Sequence, residues 1–476
     1  MNPNCFHFFL SDLLEQPERT LLGQFIRAFG KEISREWRPT TARSKVEGPS
    51  IVVLVALILL LAVSAPVRGF SGFTPTAIRG AYDVTPLLQS GYTGKAVTVA
   101  VVNSGIDALF FDDVNGFNAE YGLPATAISV VRPFGTTGTY QELPDGETTG
   151  DVEFVHAMAP DAKILLVLVG AHSLLSGFSY VIDNNVADIA VLSSSWAYWG
   201  SGASETVQSY NDEYAKSVGL KITLIAASND WGSNNTVPWG TVVGDFWTQH
   251  LPDSYLMPQY SPYVTAVGGT ILTAGSDGTR GGEAGWERSG GGPSNLFSEP
   301  FWQVGNGVPR NGHRNIPDLA LNAACESAYS FYSKGKLDTF CGTSGAAPTF
   351  AGIMADIVQA AGSRIGFLNP MLYSIAAADP TVFYDVLSGC SFTKVGTTNT
   401  VRYCPTQGWD FVTGWGSPDS SKLAQHLAPK AQIVPEFPNI TGTLVGAFAI
   451  LAAILVLRVC SRKAHVSDQR SRRSRI

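Results

Sequence analysis

Basic residues are what the middle of this 476-residue chain lacks. Between residues 71 and 435 stand 17 Lys/Arg against 31 Asp/Glu, a balance of −14, which leaves +7 for the two ends of a chain whose total is −7. An acidic middle offers phosphate backbones nothing to hold, so nucleic acid is excluded as a partner, and the basic ends imply a different compartment for those ends. Metal-ligand spacing is missing as well. Of six cysteines, Cys5 and Cys460 stand outside the acidic stretch; the other four fall as Cys325/Cys341 and Cys390/Cys404, neither pair with zinc-site spacing or a histidine at ligand distance. An even set in an exported domain implies two disulfides; three pairings are open, and the short loops favour nearest neighbours. No internal repeat is present. What the chain does have is 45% apolar residues and 49 Gly, enough for one large core or two ordinary ones.

Two apolar runs account for the charge split. Residues 51–67 (IVVLVALILLLAVSAPV) carry no charge, are short for a span, and contain Val-Ser-Ala at 63–65, a pattern suited to signal cleavage. Three readings stay open: an anchor, a cleaved signal, or a signal preceded by a mis-assigned start. Residues 440–457 form the second run, followed by Arg458, Arg462, Lys463, Arg470, Arg472, Arg473 and Arg475. A span backed by such a tail puts the tail in the cytoplasm and the preceding domain outside. The expected layout is a cytoplasmic leader with an apolar segment over 1–69, a folded domain over 70–430, a linker over 431–439, a transmembrane helix over 440–457 and a basic tail over 458–476.

Within the folded domain, short runs rich in Val, Ile and Leu at 97–102, 164–169, 189–193, 222–227 and 263–267 alternate with helix-like stretches. Continuous apolar runs are what strands buried on both faces require, so the pattern predicts an α/β fold around a mostly parallel sheet. Functional residues then belong just past the carboxyl ends of strands. Asn103-Ser104-Gly105, Ser195-Trp196 and Ser228-Asn229-Asp230 stand at such ends. After Thr270 the composition turns rich in Gly, Ser and Pro until a helix candidate over 346–361.

That helix is introduced by Gly342-Thr343-Ser344-Gly345-Ala346-Ala347-Pro348. A serine between small residues at a helix N-terminus is exposed to attack, and the helix dipole favours negative charge developing there. An N-cap serine with proline in the first turn explains the same seven residues equally well.

The string and the apolar helix after it resemble the nucleophile segment of subtilisin-like serine peptidases, which implies the subtilisin-like three-layer fold. The ordinary branch of that superfamily would need an Asp closing the first strand and a histidine followed by Gly-Thr. Here Asn103 closes the strand, none of the seven histidines is followed by Gly-Thr, and His156 lies about 140° around a helix from Asp151. The sedolisin, or serine-carboxyl peptidase, family replaces imidazole with a Glu and adds an Asp four residues later. Glu147-Thr148-Thr149-Gly150-Asp151, with Ala159-Pro160 at the matching distance, resembles that pattern. The spacing places both carboxyls on one helix face, where they cannot both ionise readily and share a proton. An acidic, solvated first helical turn is the plainer explanation of the pair taken alone. Ser228-Asn229-Asp230-Trp231-Gly232 resembles the family's oxyanion segment, with Asn229 in place of a glycine. The resemblance therefore implies Ser344 as nucleophile, Glu147 and Asp151 as the proton-handling pair, and Asp230 as an oxyanion donor that must be protonated. Ser193-Ser194-Ser195-Trp196, Val267-Gly268-Gly269-Thr270, Gly291-Gly292-Pro293-Ser294-Asn295 and Arg314-Asn315-Ile316-Pro317-Asp318 add further matches.

The family's single calcium ion has a counterpart here. The resemblance assigns it the Asp385 and Asp410 side chains and the carbonyls of Val386, Thr406 and Gly408, a hard-oxygen set on Gly-containing loops. Two unrelated loop aspartates are the bland alternative. Most relatives also carry an N-terminal prodomain; here Phe73-Thr74-Pro75 already resembles a mature start, so folding is expected without one or with a separate helper chain. Pro435-Glu436-Phe437-Pro438, the apolar span and the Arg cluster resemble archaeal sorting signals, implying a membrane-anchored archaeal member. The expectation is a monomeric, calcium-holding, acid-active endopeptidase acting on protein or peptide substrates outside the membrane. The competing readings are a non-catalytic surface module on a peptidase fold and a neutral peptidase working through His156.

Overall fold

The computed structural model describes residues 72–134, 146–170, 174–193, 204–233, 242–243, 246–247, 257–395 and 399–433. All of them fall in the unit Phe70–Ile476. The apolar runs at 51–67 and 440–457, the basic tail, residues 434–439 of the linker and Ser195-Trp196 lie outside the described residues.

An eight-stranded sheet forms the middle layer. Its strands are Thr98–Asn103 (β1), Ala127–Val131 (β2), Lys163–Leu168 (β3), Ile189–Leu192 (β4), Thr223–Ala227 (β5), Val264–Ala274 (β6), Arg280–Gly285 (β7) and Leu319–Asn322 (β8). The order is β8-β6-β5-β4-β1-β3-β2, parallel throughout, with β7 added antiparallel to β6. The helices are Pro75–Ala81 (α1), Thr85–Gln89 (α2), Phe110–Tyr121 (α3), Glu147–Met158 (α4), Leu175–Asn184 (α5), Ser204–Leu220 (α6), Thr343–Ala361 (α7), Asn369–Ala378 (α8) and Ser420–Leu427 (α9). Alternation along the strands sends side chains to both faces. Val99 and Val101 join Ile78, Phe117, Val155 and Phe350 on one side, while Ala100 and Val102 join Leu175, Phe178 and Tyr214 on the other. The three-layer architecture expected from the apolar runs is therefore the one formed.

The five predicted strands are present, each within a few residues of its expected bounds except that β6 runs on to Ala274. β2 was not among them because it is an edge strand, half-exposed along its length, and edge strands carry no continuous apolar run. The Gly-rich stretch after Thr270 also holds more structure than its composition predicts. Beyond β7 and β8 it contains the pairs Gly292–Ser298 with His313–Ile316 and Tyr329–Ser333 with Lys336–Phe340. Glycine lowers strand propensity, but here pairing and long-range packing decide. Both disulfides join nearest neighbours, Cys325 to Cys341 and Cys390 to Cys404. Loops of this length give each bridge about 3 kcal/mol of stabilisation in the chain-entropy account. The second clasps the hairpin formed by Ser391–Val395 and Asn399–Tyr403.

The strand order creates a switch point. From β1 the chain moves toward β2 and β3, and from β4 it moves away toward β5 and β6, so the loops after β1 and β4 diverge. A crevice at the carboxyl ends of these two neighbours is where open α/β sheets place their chemistry.

Candidate active site

Residues from six elements converge at that crevice. Asn103 ends β1, Ser193 follows β4, Asp230 follows β5, Gly342 follows the strand Lys336–Phe340, and Glu147 and Ser344 lie in the first turns of α4 and α7.

The start of α7 is held by backbone demands. Gly342 adopts φ +127°, and a Cβ placed there would lie 2.7 Å from Asp230 Oδ2. No residue with a side chain fits on either count. Its N–H donates to Ala323 O at 2.6 Å, tying the helix to the end of β8. Thr343 then donates twice to Asp230 Oδ1, from N and from Oγ1, both at 2.8 Å. Ser344 follows, 6% exposed, with its Oγ donating to Ser193 O at 3.3 Å.

The carboxyl pair sits on α4, a helix buried all round. Asp151 is fully buried, and its Oδ2 accepts from Ser193 Oγ at 2.5 Å and from Asn103 Nδ2 at 3.0 Å. Glu147, 5% exposed, precedes it by one turn. Helices α4 and α7 lie against each other at Gly352, where a Cβ would fall 2.7 Å from both Met158 Cβ and Val155 O. Gly352 follows Ser344 by eight residues and Val155 follows Glu147 by eight, so the two helices cross at equal depth below the serine and the carboxyl pair.

Asp230 keeps some solvent-accessible surface, yet atoms crowd its carboxyl closely enough that burial raises it above its ordinary range; the Thr343 bonds and the Arg288 charge oppose this without cancelling it. Because Oδ1 accepts both Thr343 bonds, a proton on this acid resides on Oδ2. A carboxyl that keeps its proton to higher pH can donate to an oxyanion. Asn229, in the position where the family has glycine, takes φ +89° and closes its own turn by accepting from Trp231 N at 2.9 Å. This is a conformation asparagine tolerates.

His156 takes no part. It is buried on α4, its Nε2 lies 2.9 Å from Pro124 O, and burial pushes it down to about 4. Arg314 and Asp318, in one of the matching strings, form a fully buried ion pair with bonds of 2.6 and 2.7 Å. Asp318 also accepts from Ala266 N at 2.8 Å. That pair braces the sheet. Spacing alone gives Ser193 and Thr343 no role at the crevice. Both stand inside matching strings, Ser193-Ser194-Ser195-Trp196 and Gly342-Thr343-Ser344, but only three-dimensional contact assigns them partners.

On the calcium segment, Asp385 Oδ2 accepts from Gly408 N at 2.9 Å. Asp410 is 4% exposed; its Oδ1 accepts from Val412 N at 2.7 Å and Thr413 N at 2.9 Å, and its Oδ2 from Thr413 Oγ1 at 3.0 Å. Burial raises both carboxyls, Asp410 to about 6, with backbone hydrogen bonds as the main offset. The buried Asp410 and the exposed Asp385, which accepts from the 406–410 loop, offer carboxylate oxygens of the kind a hard cation takes. Among the described residues no cluster of three or more His, Cys, Asp or Glu forms, so any such ion would depend on carbonyls for the rest of its shell.

Comparison with known proteins bears on this geometry. The subtilase family (peptidase S8) matches residues 135–416. Kumamolisin of Bacillus sp. (strain MN-32) is 31% identical over 388 residues, covering 76% of this chain and 64% of kumamolisin. Sedolisin of Pseudomonas sp. (strain 101) is 28% identical over 381 residues, covering 75% and 61%. Tripeptidyl-peptidase 1 of Dictyostelium discoideum is 30% identical over 338 residues, 66% of this chain and 52% of that protein. The chain thus spans less than two thirds of the length of these relatives. Among solved structures, Pseudomonas sedolisin, a serine-carboxyl proteinase complexed with two molecules of pseudo-iodotyrostatin, superposes with a TM-score of 0.63 at 26% identity, covering 75% of this chain and 98% of that one.

Proposed function

The chain belongs to the subtilase family, with relatives among the sedolisins and kumamolisins, and from that premise we propose that it is a serine-carboxyl endopeptidase cleaving protein or peptide substrates at acidic pH. The observation that carries the reading is the junction at Ser193. Its carbonyl accepts from Ser344 Oγ and its hydroxyl donates to Asp151, so one residue links the nucleophile to the carboxyl pair.

In this reading Ser344 Oγ attacks the scissile carbonyl carbon and its proton passes to Glu147. Asp151 holds the charge and proton balance of the pair. The new oxyanion takes a hydrogen bond from the Oδ2 proton of Asp230 and lies at the N-terminus of α7. Glu147 then returns the proton to the leaving amine. Acyl-enzyme hydrolysis repeats the cycle with water as nucleophile. Acid pH serves two groups: the pair needs one proton and Asp230 needs its own. Ser344→Ala should abolish hydrolysis of a peptide library at pH 3–5 while the far-ultraviolet spectrum is unchanged; retained hydrolysis would overturn the assignment.

We further propose one structural calcium ion held by the side chains of Asp385 and Asp410 and the carbonyls of Val386, Thr406 and Gly408. A buried Asp410 and an exposed Asp385 bonded to the 406–410 loop support it. Chelation should lower the unfolding temperature and added calcium restore it; a midpoint indifferent to both would rule the ion out. The proposed placement is outside the cell membrane, anchored through 440–457. Its support is the charge split between the acidic domain and the basic tail, since among the described residues no helix is long and apolar enough to cross a membrane. Digestion of the domain by protease added to intact cells tests that placement.

A further inference from the structure

The end of β1 meets the carboxyl pair through an amide rather than an acid. Asn103 is fully buried, and its amide cannot be turned over: Oδ1 accepts from Ser104 N at 2.7 Å, which leaves Nδ2 to face Asp151 Oδ2 at 3.0 Å. Ser193 Oγ approaches the same oxygen at 2.5 Å. A carboxyl oxygen accepting two hydrogen bonds has no lone pair left to carry a proton. Any proton on Asp151 is therefore confined to Oδ1.

We propose that Asn103, together with Ser193, is a positioning residue that keeps the Oδ2 of Asp151 proton-free and so confines any proton that Asp151 shares with Glu147 to Oδ1. The inference rests on the serine-carboxyl reading above and adds to it a donor that does not titrate. A carboxyl at this position could donate to Oδ2 only while protonated; an amide donates at every pH. The relay thus ends in a neutral group, and the pair titrates without a third acid coupled to it.

Among the described residues, the titratable groups on the elements around this contact are as follows. Glu147 lies one turn before Asp151 on α4. Glu153 accepts from Tyr332 N at 2.9 Å, and His156 bonds Pro124. From the β5 side comes Asp230, bonded to Thr343 and near Arg288. From α3, Asp113 accepts from Lys334 N and Gly335 N, both at 2.7 Å.

The test is the pH–rate profile of Asn103→Asp in the full chain. At the acid end the new carboxyl is protonated and can still donate; as it ionises it loses that proton and sets a negative charge against Asp151. The expected result is a lower peak kcat and an alkaline limb moved at least about one pH unit to the acid side, with KM within about twofold. Asn103→Leu and Ser193→Ala each remove a donor to a charged acceptor at every pH. For these two, kcat should fall about ten- to hundredfold without displacement of the limb. An Asn103→Asp profile superimposable on that of the wild type would overturn the proposal, as would equal displacement of the limb in all three variants. Ser344→Ala run alongside separates the two readings: if it remains active the serine-carboxyl reading has failed, and if it is inactive while the Asn103→Asp limb stays in place only the Asn103 inference has failed.

Discussion

Replacing Gly352 with alanine should damage both the fold and the reaction, for a reason that can be worked through. The added Cβ would sit 2.7 Å from Met158 Cβ and 2.7 Å from Val155 O. Carbon atoms in contact rest at about 3.5–4.0 Å, so α4 and α7 must part by roughly 1 Å at the crossing. Alanine gains up to about 1 kcal/mol over glycine from helix propensity. Overpacking against a backbone oxygen and a Cβ, neither able to swing aside, costs about 1–3 kcal/mol. The second effect wins, and a net loss of about 1–2 kcal/mol in unfolding free energy is expected. The crossing lies eight residues, about 12 Å, below both Ser344 and Glu147. Parting the helices there displaces the serine from the carboxyl pair by a comparable distance. A misplacement of about 1 Å can cost on the order of a hundredfold in rate, so kcat should fall between about ten- and a hundredfold while KM changes little. Denaturant unfolding and steady-state kinetics on a fluorogenic peptide measure the two effects. A Gly352→Ala variant as stable as the wild type or more so, with kcat intact, would show that the close approach of α4 and α7 does not position the site.

Two further predictions concern pH. Burial raises Asp230 above its ordinary 3.8, so the folded state binds a proton that the unfolded chain gives up, and stability falls as pH rises through and above that value. Asp230→Asn should therefore be more stable than the wild type above about pH 4 and converge with it below; a difference constant across pH would refute the burial argument. His156 has the opposite sign, since burial lowers it from 6.5 to about 4. Below about pH 6.5 the unfolded chain binds a proton that the folded state refuses, and up to about 3 kcal/mol is lost by pH 4. His156→Gln, which can still donate to Pro124 O, should flatten that decline in urea titrations at pH 7, 5.5 and 4. If the decline is as steep without the imidazole, the acid loss belongs to other groups.

Much of the site was legible because its residues stand at places that local sequence marks. Ser344 opens an apolar helix behind a Gly-Thr string, Glu147 and Asp151 are one turn apart, and Asp230 comes three residues after an apolar strand run. The three-layer fold was legible for a similar reason: strands buried on both faces must be continuously apolar. The half-exposed β2 and the Gly-rich pairs beyond β6 escaped, since edge pairing and glycine-bearing strands leave no periodic signal.

By itself, then, the sequence determined which chemical groups the chain possesses and which elements carry them, because those depend on neighbours a few residues apart. What the tertiary structure alone decided is which groups meet. Asn103 and Ser193 reach Asp151 across 48 and 42 residues, and Ser344 reaches the Ser193 carbonyl across 151. Those separations are closed by strand order, which places β1 beside β4 with diverging loops above them, and strand order is set by the pairing and packing of the whole sheet rather than by any short stretch of chain.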